Sequence, residues 1–166
     1  MTTIPLPLHL TIHFVLAVLI GYLVGRYFKK LWPGIIGGVL GGFFIDLDHI
    51  LEYFLVFGPH FNLSDFLNGR QFLVSGQIHV WFHAWEYIPI LLLIAWLCRK
   101  QKAVATFILA LTLGGFIHLI SDCRINNYPP RNYSLIYRYE VGFSAKHLLN
   151  AEQYAKYLKD RQEIGL

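Results

Sequence analysis

The chain has 166 residues, of which 55% are hydrophobic and only 14% charged, with a formal net charge of +4. The length is that of one domain, but soluble domains carry roughly 25% charged residues, so an ordinary water-soluble globule is excluded. Its basic residues flank apolar runs and are not interleaved with aromatics as on a nucleic-acid surface, so no nucleic-acid partner is expected.

Four apolar runs reach membrane-spanning length, which predicts an all-α polytopic membrane protein: a four-transmembrane-helix bundle with a C-terminal amphipathic helix. The first run, LHLTIHFVLAVLIGYLVG (8–25), precedes RYFKK. Nothing basic lies before Arg26, so it does not read as a secretory signal and is expected to stay as an anchor. It carries His13 well inside the run and His9 at its edge, where an interfacial place is expected.

The second run, GIIGGVLGGFFIDLDHILEYFLVF (34–57), opens with glycines spaced by four: Gly34, Gly38, Gly42 and Gly37, Gly41. Gly21 and Gly25 repeat that spacing in the first run, and such rows let helices approach closely in lipid. Further along come Asp46, Asp48, His49 and Glu52. On a regular helix Asp46 and His49 share a face while Asp48 pairs with Glu52. Either the helix unwinds near DLDH, beside a cavity, or Asp48 serves another role; Glu52 is expected to hydrogen-bond within the bundle. Residues 58–77 read as a loop, marked by FGP and NG.

The third run, from about 78 to 98, begins with HVWFHAWE. A straight helix turns 100° per residue, which would bring His79, His83 and Glu86 within an arc of about 60°. The fourth, AVATFILALTLGGFIHLI (103–120), leads into His118 and Asp122, an i, i+4 pair. After it, 124–143 looks irregular, and Leu148, Ala151, Tyr154, Ala155 and Leu158 space out an amphipathic helix within 144–163. The expected organisation is a membrane core over 1–123 and an extramembrane tail over 124–166. Cys98 and Cys123 have no metal or redox spacing, and His60 and His147 read as surface residues.

The turns RYFKKLWP and CRKQK carry three basic residues each, whereas the connection between the second and third runs has only Arg70. The positive-inside rule places those turns in the cytoplasm and both termini outside, although seven of the fourteen Lys and Arg follow residue 123. Counting about 1.5 Å per residue from the basic ends, His13, Asp46, His83, Glu86 and His118 all lie roughly 18–24 Å deep. That common level falls in the outer half of a hydrocarbon core about 30 Å thick.

Ionisable groups gathered at one depth in lipid are costly unless something offsets them. A divalent cation does so, since carboxylates and neutral imidazoles are its ligands. The expected ligands are His13, Asp46, Asp48, His49, His79, His83, His118 and Asp122. Their chemistry favours zinc, one to three ions, with manganese or iron as alternatives. Glu86 is the candidate general base or an added ligand, and Asp48 a candidate bridge between ions.

DLDH, HVWFH and HLISD, in this order over residues 8–123, resemble the bacterial inner-membrane metal-dependent hydrolases of the LexA-regulated type. Asp46, Asp48 and His49 match that family's second motif, His83 the third, His118 and Asp122 the last, and His13 the early histidine. The chain departs from the pattern at Ile45, where the family has Pro, and at Val80, Phe82 and Ala84 around the third motif. A weaker likeness is to zinc-dependent phospholipase C and P1-type nucleases. The resemblance implies hydrolysis at the inner membrane, and an outward-facing site implies a lipid or lipid-linked phosphoester as substrate. The rival expectations are a divalent-metal transporter and a protein whose metal only staples the bundle. The apolar stretch from Phe14 to Gly25 offers a transported ion no ligands.

Overall fold

A computed structural model describes residues 4–166, and among them every regular element is helical. In chain order these are α1 (Leu6–Tyr27), α2 (Leu31–Gly42), α3 (Leu47–Phe57), α4 (Leu63–Leu67), α5 (Arg70–Ser75), α6 (Tyr87–Leu97), α7 (Lys102–Ile125), α8 (Leu135–Glu140), α9 (Ala145–Leu148) and α10 (Ala151–Glu163). Short 3-10 turns occupy Phe44–Asp46 and Pro130–Tyr133. The chain forms two compact units, each discontinuous in sequence. One comprises residues up to Ile45 with His83–Ser134, the other Asp46–Phe82 with Leu135–Leu166.

The first unit packs α1, α2, α6 and α7. Helices α1 and α7, of 22 and 24 residues, are long and apolar enough to cross a membrane, and α2 with the segment Phe44–Phe57 adds a third span if that broken pair counts as one. The expected four full spans are therefore reduced to two or three. The expected third span is the exception: its helix α6 has only 11 residues, about 16 Å of rise, because 78–86 is not helical. Pro89 marks the real start, since proline belongs in a helix's first turn and not its interior. The second run is likewise interrupted at Phe43.

Three i+4 rows organise this unit. On α1 the buried row is His9, His13, Ala17, Gly21, Gly25; on α2 it is Gly34, Gly38, Gly42; on α7 it includes Thr106, Ala110, Gly114, His118, Asp122. The opposite face of α1, with Val15, Leu19 and Leu23, is exposed and apolar, the pattern of a helix whose solvent is lipid. A Cβ built on Gly38 would sit 2.5 Å from the Ala17 carbonyl oxygen, and one on Gly41 would collide with that of Leu111. Small residues thus let α2 lie against both α1 and α7. On α1 and α7 the same rows then continue into ligand-type side chains.

The second unit has a small core of Leu73, Ala145 and Tyr157, joined by Ile78, Leu149, Tyr154 and Ile164. Tyr53 is buried within an aromatic cluster with Phe57, Phe61 and Phe66, and its hydroxyl accepts from the Asn62 amide at 3.1 Å. The loop expected over 58–77 contains α4 and α5. Asn62 caps the first of them through the Asp65 amide. The expected amphipathic helix is α10, opened by a capping box in which Asn150 and Gln153 bond each other's backbone amides.

Candidate metal centre

In the first unit, α1 supplies His9 and His13, α7 supplies His118 and Asp122, and the segment entering α6 supplies His83. All five are buried, His13, His83 and His118 at 1% exposure or less. Asp122 lies among them, its two oxygens facing different pairs. Oδ1 is 3.1 Å from His13 Nε2 and 3.5 Å from His9 Nε2. Oδ2 is 3.3 Å from His118 Nε2 and 3.5 Å from His83 Nε2. The imidazoles pair in the same way, with Nε2 to Nε2 separations of 2.9 Å for His9 and His13 and 3.0 Å for His83 and His118.

This donor set passes a test of fit. Atoms bound at 2.0–2.1 Å in a tetrahedron stand about 3.3 Å apart, close to these separations. His9, His13, Asp122 and His83, His118, Asp122 are accordingly two groups able to hold a metal ion. A buried carboxylate with four imidazoles and no cation would keep only hydrogen bonds against its desolvation. Behind the ligands, His118 Nδ1 meets the Gly42 carbonyl oxygen at 3.1 Å.

His83 reaches this cluster from an irregular segment of turns, not from a helix face. Trp85 anchors that segment: its amide donates to the Tyr133 carbonyl at 2.9 Å and its indole N–H to that of Pro130 at 2.7 Å. Glu86, expected beside His83 on one helical face, precedes α6 and accepts from the Ser134 hydroxyl at 2.5 Å. Burial, reinforced by the Asp122 charge, pushes the Tyr133 phenol far above its ordinary value, so it stands near the cluster as a neutral group.

The remaining predicted residues belong to the second unit. Asp46 and His49 lie 3.8 Å apart and are partly exposed. Asp48 is fully buried, and its Oδ2 accepts the Phe82 amide at 2.8 Å. His79 pairs through Nδ1 with the buried Glu52 carboxylate at 2.9 Å. In the same unit, buried Arg138 donates to the carbonyls of His79 and Val80. The expected helical face of His79, His83 and Glu86 is corrected here: amides at 79, 80 and 82 bond carboxylates, so the helical ladder does not form. His9 joins the cluster although its sequence position suggested the membrane edge; its i, i+4 spacing from His13 was the available signal.

The site and fold define a class: an all-helical chain with apolar helices of membrane-spanning length and buried His/Asp groups able to hold metal. No protein-family model, curated protein or solved structure matches it.

Proposed function

We propose that the protein is a membrane-embedded metal-dependent hydrolase acting on a phosphoester of a lipid or lipid-linked substrate. The observation that carries this reading is Asp122 set among four buried imidazoles, a donor set without sulfur. Each group of three donors leaves a tetrahedral position open, the hallmark of catalytic rather than structural zinc. A divalent ion held there supplies a Lewis acid for a phosphoryl oxygen and lowers the pKa of bound water toward about 7. His9, His13, His83, His118 and Asp122 bind and orient. Glu86 is the carboxylate of the same unit outside both groups, and we assign it the proton-accepting role, with Ser134 holding its Oε1. Zinc suits the ligands best, with manganese or iron as alternatives.

The motif resemblance to inner-membrane metal-dependent hydrolases supports the same reading. The basic character of the two short turns supports an extracytoplasmic place for the histidine ends of α1 and α7. On α1 the buried row beyond His13 is Ala17, Gly21, Val24 and Gly25, which gives a transported ion no stepping stones.

The test is purified, metal-loaded protein assayed on a chromogenic phosphodiester and on phospholipid vesicles, with Asp122→Ala and His118→Ala as controls. Metal-dependent turnover lost in both variants is expected. Metal uptake into vesicles without turnover would establish transport instead, and tightly held metal with neither activity would establish a staple.

A further inference from the structure

We propose that Asp122 bridges two divalent cations of unequal affinity, and that the position formed with His83 and His118 fills before the one formed with His9 and His13. The proposal rests on the metal-dependent reading above and adds the number of ions, their ligands and their order of loading.

The division follows from which atoms face which. Asp122 Oδ1 takes the α1 pair and Oδ2 takes His83 and His118, and within each pair the Nε2 atoms lie 2.9 and 3.0 Å apart. Each oxygen with its two nitrogens makes a triangle with edges of 2.9–3.5 Å, three corners of one small coordination shell. A carboxylate shared in this way is the usual link in two-metal sites, whose ions stand about 3.5–4 Å apart.

The order follows from what lies behind the ligands. An imidazole that binds metal through Nε2 carries its proton on Nδ1, and that proton needs an acceptor when buried. His118 has one, the Gly42 carbonyl oxygen at 3.1 Å. His13 Nδ1 is buried with no hydrogen-bond partner among the described residues, so ligation there strands an N–H. An acceptor of this kind is typically worth about 10–100-fold in metal affinity. The α1 position also has the more accessible ligand, His9 at 7% exposure against 1% for His83 and His118. The first ion is therefore the resident one and the second the exchangeable one, which makes occupancy of the α1 position responsive to free metal.

The full chain in detergent, stripped with chelator, is titrated with cobalt(II) and followed by calorimetry and visible absorption. Two equivalents bind in steps separated by about tenfold or more. His9→Gln abolishes the weaker step and leaves the tighter one, while His118→Gln abolishes the tighter step. Circular dichroism checks that each variant keeps its helices. If His118→Gln does not fold, the wild-type and His9→Gln titrations decide. One equivalent per chain, two indistinguishable steps, or loss of the tighter step in His9→Gln would overturn the proposal. Two ordered equivalents without phosphoester turnover would uphold the bridged centre and overturn the hydrolase reading. Turnover with a single equivalent would do the reverse.

Discussion

Glu52 holds His79 twice, taking its backbone amide at 2.9 Å and facing its ring Nδ1 at 2.9 Å, while the other carboxylate oxygen accepts the Val80 amide at 2.9 Å. Three groups thus converge on one carboxylate at 1% exposure, and they keep residues 79–80 out of helical geometry. In Glu52→Gln an amide N–H₂ replaces one acceptor and faces a backbone donor. The expected loss is about 1.5–3 kcal/mol, the scale of hydrogen bonds to a charged group. Thermal unfolding in detergent, compared with a surface substitution such as Glu163→Gln that leaves the midpoint in place, measures it.

The approach of α2 to α7 depends on glycines with no room for a Cβ. Gly41→Ala drives a methyl into the Leu111 carbonyl oxygen, whereas at Gly115 the Gly41 carbonyl oxygen stands 3.4 Å from the new Cβ. Gly41→Ala is expected to cost at least about 1–3 kcal/mol, the overpacking range, and to lower metal retention because α7 carries His118 and Asp122. Gly115→Ala is expected to cost less than about 1 kcal/mol. Metal content and unfolding midpoint of the two variants, measured side by side, check this.

Burial and the Asp122 charge push the Tyr128 phenol up to about 12. Its ordinary value is about 10, so the folded state prefers the neutral phenol. The sign follows from linkage: this contribution is fully present below pH 10 and is lost as pH rises from about 10 to 12, where the unfolded chain ionises first. Tyr128→Phe removes that loss and raises the alkaline unfolding midpoint, read from helical ellipticity across pH 9–12. An unchanged midpoint would show that Tyr128 does not control it.

The exposed apolar faces of α1 and α6 identify where lipid should be. Val15, Leu19, Leu93 and Trp96 are all more than 45% exposed. A nitroxide at any of the first three positions should be accessible to oxygen and shielded from a water-soluble nickel reagent. Brominated lipid should quench Trp96 fluorescence. Accessibility to the aqueous reagent at Val15 or Leu19 would contradict a membrane-spanning α1.

What the sequence made legible is whatever a regular helical period carries. His13 with His9, His118 with Asp122, and the glycine rows fall at i+4 on uninterrupted helices, so their shared faces follow from spacing alone. The conformation of HVWFHAWE was not legible in that way. Its aromatic and apolar character suits a helix, but long-range bonds from Asp48, Glu52 and Arg138 fix residues 79–82 in another form, and Val80 takes a positive φ of 36°. Such tertiary bonds leave no periodic trace. Pro89 was a readable local signal for where α6 begins. The pairing of His79 with Glu52 likewise depends on a long-range contact, whereas that of Asp46 with His49 follows the i, i+3 spacing that puts both on one helical face.

X-ray absorption at the zinc edge, on protein purified without chelator, tests most directly whether the imidazoles and Asp122 hold a cation. The prediction is a first shell of nitrogen and oxygen alone at about 2.0–2.1 Å, with outer scattering from imidazole rings, both lost in Asp122→Ala. Protein that carries no metal at its purification or after zinc loading, or a shell containing sulfur, would contradict the account.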